Sequence, residues 1–195
     1  GSVFEALDEE ILVIGMMNVA VNTSLSMTIN DYTSNPVYAH QDLKAADSTV
    51  TALQQSSLSS GIPILNGTAG KVSFFEIQGM THYLMYRTFT IRALSDALGT
   101  SIDSIVHRSG VFTQSTDDMA SLQIKAADAG AIDAGSRLIV MKKVMRDFDG
   151  TKIGSIEDPG IIEGSWEEIY DHEATLNEHQ VTISGLDGDN DAIYR

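Results

Sequence analysis

Three carboxylates alternate near the end of the sequence: Asp187, Asp189 and Asp191 in "GLDGDNDAIYR". Hard oxygen ligands at that spacing match the first half of a calcium loop, where they converge on a hard cation. The Glu that closes such a loop would fall past Arg195, so the expectation is an acidic turn whose side chains bond their own backbone. The three Asp residues are the metal candidates on that reading, and "DFDG" at 147–150 reads the same way. No pair among His40, His82, His107, His172 and His179 has the spacing of a zinc site, so solvated surface positions are expected for all five. Ser109 follows His107 closely in "HRSG", but members of a catalytic triad meet in space and not in sequence, and no Gly-x-Ser-x-Gly elbow occurs. Twenty-seven acidic residues could bring two carboxylates together almost anywhere, so their number points to no hydrolase. The expectation is a non-enzyme without a cofactor.

Rings are the remaining chemistry. Phe74, Phe75, Tyr83, Tyr86 and Phe89 alternate on two neighbouring runs, and exposed rings on a sandwich face can stack on sugars. The alternation puts Tyr83, Met85 and Phe89 on one apolar face, which reads as core. Phe75 and Tyr86 are expected on the other face and are the ligand-binding candidates.

Short strands must position these residues. In "SLSMTIN" (24–30) Leu25, Met27 and Ile29 point one way and Ser24, Ser26 and Thr28 the other, the period of a half-buried strand. "KVSFFEIQ" (71–78) and "HYLMYRTFTI" (82–91) repeat it and flank "GMT", which predicts a hairpin. "SLQIKA" (121–126) and "RLIVMKKV" (137–144) follow, joined by a turn in which Gly130 and Gly135 tolerate positive φ. Residues 10–21 are apolar on both faces, as in a strand inside a sandwich. Tyr38, Val50 and Ala52 fit two short strands around "KAADS". The chain reads as all-β, an antiparallel β-sandwich of jelly-roll type.

Composition narrows the partners. A net charge of −15 repels nucleic-acid phosphates and anionic membrane surfaces, and no apolar run is long enough for a membrane helix. Neither nucleic acid nor membrane is therefore expected as a partner. Without cysteine there is neither a disulfide nor a thiolate metal site. Gly150, Gly154, Pro159, Gly160 and Gly164 mark 149–164 as a linker between a domain at 3–148 and a strand segment at 165–195. That last segment is too small to close a core alone.

Four stretches together resemble bacteriophage virion proteins of the jelly-roll β-sandwich kind: "LSMTINDYTSNPVYAHQDLKAADSTVTALQQSS", "SFFEIQG", "SLQIKAADAGAIDAGSRLIVMKK" and "WEEIYDHEATLNEHQVTISGLDGDNDAIYR". The resemblance implies a structural tail, fibre or capsid-associated protein, located in the virion or outside the cell. Its expected partners are copies of itself and other virion proteins, with a host-surface glycan as a further candidate. The order departs from the family's, because the Trp-to-Gly-Leu-Asp segment that should open the domain stands last. Residues 165–195 are then either the domain's own opening strands in circularly permuted order or strands given to a neighbour. Trp166, Val181 and Ile183 are the assembly residues on that reading. A carbohydrate-binding adhesion module and a strand-exchanged extracellular filament subunit are the alternatives.

Overall fold

The computed structural model of the chain describes residues 10–33, 36–46, 49–80, 86–95, 104–114, 119, 121–146, 163–175 and 177–184, with the backbone alone for 142–146, 163–169 and 184. Among the described residues there are strands and turns and no helix. In chain order the strands are β1 (Glu10–Asn18), β2 (Thr23–Ile29), β3 (Tyr38–Ala46), β4 (Thr49–Leu58), β5 (Ile62–Gly67) and β6 (Val72–Met80). They continue as β7 (Arg87–Ser95), β8 (Ser104–Phe112), β9 (Ser121–Ala126), β10 (Arg137–Arg146), β11 (Glu163–Glu173) and β12 (Gln180–Ser184).

They form two antiparallel sheets packed as a β-sandwich. The larger has the order β11-β10-β1-β6-β7-β8-β3-β4, the smaller β12-β9-β2-β5. Among the crossings between sheets, β1 to β2, β5 to β6, β9 to β10 and β11 to β12 join strands at matching places, so one end of the larger sheet mirrors the smaller strand for strand. The hairpins β3–β4 and β7–β8 extend the larger sheet past that shared region.

Strict alternation builds the core. Leu25, Met27 and Ile29 of β2 and Leu122 and Ile124 of β9 are buried against Val13, Met17, Ile77, Ile91, Leu138 and Val140 of the larger sheet. Each such side chain contributes about 1.5–3 kcal/mol by leaving water. Phe75 lies across Gly15 of the paired strand, where a Cβ would stand 2.2 Å from the ring, and Phe89 covers Gly79 in the same way. The rings fill what the missing side chains leave open.

Several expectations change. Apolar residues on both faces of β1 do not mean burial on both: Ile14 is 41% exposed, because among the described residues no third layer covers the outer face. The strands at 71–78 and 82–91 do pair, as β6 and β7, with Met80 opposite Thr88; residues 81–85 between them lie outside the described residues. The turn between β9 and β10 holds Gly130 and Gly135 at φ of 66° and 81°, as expected, and carries the chain from one sheet to the other. The strands around "KAADS" are long, with nine and ten residues. Two strands, β5 and β8, were not legible in the periodicity.

Candidate functional site

The C-terminal strands are built into the sandwich. β12 pairs with β9 through Val181↔Ile124 and Ile183↔Leu122, which turns both aliphatic side chains inward; Val181 is 4% exposed and Ile183 2%. β11 pairs with β10 from Arg137↔Glu173 to Arg146↔Glu163, with a register shift at Val140/Met141. The bend between β11 and β12 is fixed against the β9–β10 turn by backbone bonds. The Ile132 N–H donates to Glu178 O at 2.7 Å, the Ile132 carbonyl accepts the Glu178 N–H at 2.6 Å, and the Ala174 N–H donates to Ser136 O at 2.7 Å. Ser136 also reaches the β1 end, accepting the Asn18 N–H at 2.9 Å. An exposed ion pair, Arg137–Asp171 at 2.6 Å, and a half-buried hydrogen bond between His172 Nε2 and the Glu178 carboxyl at 3.0 Å decorate this joint. The guanidinium lowers the Asp171 carboxyl below its usual pKa.

At the opposite end of the larger sheet a polar cluster anchors the β3–β4 hairpin. Asp42 and Arg108 form an ion pair at 2.5 Å with side chains 6% and 8% exposed, and the guanidinium also donates to the Pro63 and Ile64 carbonyls of β5. His40 donates from Nε2 to Gln55 Oε1 at 3.0 Å, so in the neutral ring Nδ1 is an acceptor. That atom faces Asp42 Oδ1 at 4.0 Å, and neither has a hydrogen-bond partner. Burial holds His40 below the usual imidazole pKa and Arg108 pushes the same way, against the Gln55 bond and the Asp42 charge. Nearby, the Tyr38 hydroxyl accepts the Ile29 N–H at 2.9 Å and donates to Tyr32 O at 3.0 Å. Burial raises its pKa to about 12.

Beyond this anchor β4 is exposed along almost its whole length, on both faces. Val50 is 70% exposed, Leu53 50% and the neighbouring Leu43 55%. Among the described residues no strand pairs with its outer edge. The outer face of the larger sheet also carries a shallow apolar hollow of about 420 Å³ around Ile14, Phe74, Leu94 and Ile105, rimmed by the Arg92–Glu76 pair.

Comparison with protein families, curated proteins and solved structures returns no match.

The residues singled out in the sequence therefore take their meaning from position alone. Val181 and Ile183 meet across one ladder, and the Trp166 backbone pairs with Lys143 in β10. Phe75 is corrected: it is 3% exposed, because β6 and β7 pair odd to odd and it shares the inner face with Phe89. Phe74 is the exposed ring of that pair, at 41%, and Tyr86 is exposed as expected, at 63%. His40 is corrected as well, from a solvated position to a buried one, since Gln55, Asp42 and Arg108 surround it. His107 is exposed, and His172 and His179 are half-buried. Asp187, Asp189, Asp191, Tyr83, Met85, His82, the "DFDG" stretch at 147–150 and residues 149–162 of the expected linker lie outside the described residues, whereas its last two residues, Glu163 and Gly164, open β11. Among the described residues no three His, Asp or Glu side chains are grouped to hold a metal ion. Sequence reasoning missed Asp42 and Arg108; the one signal was a charged residue at an inward position of an alternating run.

Proposed function

We propose that this chain is a non-enzymatic structural subunit of a bacteriophage particle, a tail, fibre or capsid-associated protein that works as an oligomer. Its sandwich is a jelly roll in circularly permuted order, completed by β11 and β12. The observation that carries this reading is the lateral order of the strands. With the four strands of the two protruding hairpins set aside and counting begun at β11, the larger sheet runs first-eighth-third-sixth and the smaller second-seventh-fourth-fifth. That order supports the reading as an eight-stranded jelly roll. Counting begins at β11 because the resemblance in the sequence makes the Trp166 segment the opening of the domain.

A fold of this kind hosts many functions, so the virion role leans on the resemblance and on the way the sheets are finished. The same two strands can close their own sheets or those of a neighbour, and exchange of an identical element is a low-cost route to assembly. A glycan-binding role has less support, because Phe74 and Tyr86 are separated by eight positions along β7, about 26 Å at strand rise, too far to share one sugar. Mass measurement in solution with electron microscopy tests the proposal: oligomers of defined stoichiometry support it. A chain that stays monomeric at every concentration, including on mixing with virion components, contradicts it.

A further inference from the structure

Four strands stand at sheet edges, and an open edge offers unpaired N–H and C=O groups to any other strand. Three of the four carry something that discourages pairing. β11 has five acidic residues in eleven, Glu163, Glu167, Glu168, Asp171 and Glu173, so two copies of it repel one another. β12 has five residues. β5 contains Pro63, which lacks a donor, has an irregular register at Leu25/Ser26 of its partner, and lies against β7.

β4 has none of these devices from Thr49 to Gln55. It has ten residues without a charge or a proline, and its bulge is confined to the far end, where Ser57 has φ 59°. No charged residue occurs from Ser48 to Gly70, in a chain where one residue in five is charged. Two copies with a net charge of −15 each repel over most of their surface. This segment is where they approach without opposing charges, and it carries two exposed aliphatic side chains, Val50 and Leu53, beside the exposed Leu43 of β3.

We infer that β4 is a self-association edge: two copies pair their β4 strands antiparallel about a two-fold axis, joining two eight-stranded sheets into one. The inference rests on the reading of the chain as an assembling subunit and names one contact of that assembly. It differs from strand exchange at β11 and β12, which the other end of the sheet would mediate. A two-fold axis normal to the sheet makes the central residue oppose itself, and the regular stretch Thr49–Gln55 centres on Ala52. Val50 then faces Gln54, and Thr51 faces Leu53. The short ladder is at the small end of stable interfaces, so dissociation on the order of micromolar is expected.

Charge reversal at Ala52 tests this in the full chain. The residue is exposed, so substitution leaves the monomer's fold and melting temperature in place. Ala52→Glu and Ala52→Lys should each weaken association about tenfold or more by placing like charges opposite one another, and an equimolar mixture of the two should restore it as a heterodimer. Analytical ultracentrifugation from about 1 to 300 µM, bracketing that affinity, reads both. Because the chain has no cysteine, Ala52→Cys should oxidise to a covalent dimer at low concentration, whereas Val21→Cys, 46% exposed elsewhere, should not. Assemblies of unchanged mass and affinity in Ala52→Glu, or no preferential crosslink at Ala52→Cys, overturn the β4 contact and leave the subunit reading standing. A wild-type chain that is monomeric throughout the range overturns the β4 contact, and one that also stays monomeric on mixing with virion components overturns the subunit reading as well.

Discussion

At the scale of single residues, two kinds of buried side chain decide what the fold tolerates. Ile183 was legible in the sequence because a strand's period of two announces an inward aliphatic, and its burial requires only that β12 have a core to face. Replacing it with Asp should cost about 3–5 kcal/mol, from the lost packing and the unpaired carboxyl, read as a drop in the urea midpoint. The Asp42–Arg108 pair was not legible: its members are 66 positions apart, and an isolated charge in a strand reads as solvent-facing. Asp42→Ala should destabilise by about 3–5 kcal/mol, because it leaves a guanidinium buried without its counter-charge. His40 adds a pH dependence. Its pKa is lower in the folded chain than the ordinary value near 6.5, so below that value the unfolded chain binds more protons. The stability contributed by the neutral ring is present above about pH 6.5 and declines as the pH falls through the folded pKa. His40→Gln should flatten that part of a stability-versus-pH curve; an unaltered slope between pH 7 and 5 would place the titration elsewhere.

At the scale of elements, the strands that could be read were those with large apolar residues at successive inward positions. Leu25, Met27 and Ile29 of β2, Phe75 and Ile77 of β6, Leu122 and Ile124 of β9 and Leu138 and Val140 of β10 supply them, and these strands' positions in the sequence and in the fold coincide within a few residues. β8 does not, because its inward series is Ser104, Val106, Arg108, Gly110 and Phe112, which hides the hydrophobic period. Gly110 leaves room for Ile62 of β5, and Arg108 binds the carbonyls of the same strand, so the sequence of β8 makes sense once β5 is opposite it. β5 is hidden in turn by Pro63 and Gly67. The pairing of rings with glycines likewise needs the register, which no local pattern supplies. Gly79→Ala should push Phe89 out of its place and cost about 1–3 kcal/mol, as a small-to-large change in a filled core does. A variant as stable as the parent would mean that the Phe89 ring has another rotamer available.

At the scale of the whole molecule, the last described strands of the sequence form one flank of the sandwich, with β11 and β12 as the edge strands of the two sheets. β12 contributes two core side chains and β11 covers the flank of β10, so taking both away uncovers a sheet edge and part of the core at once. The anchoring bonds from Ile132 and Ser136 join that pair to the turn beside β1, which ties the end of the chain to its first described strand. The sequence already held this connection in outline, as strand-like alternation and a resemblance to opening strands at 165–195. It did not hold the choice of partner strands, which depends on how the chain crosses between sheets. The most direct measurement is the thermal unfolding of a chain ending at residue 162, with and without a peptide of residues 163–195 added in trans. The account predicts an insoluble or molten product without near-ultraviolet dichroism, and recovery of cooperative unfolding when the peptide is supplied. A shortened chain that is as soluble and as heat-stable as the full one would contradict it.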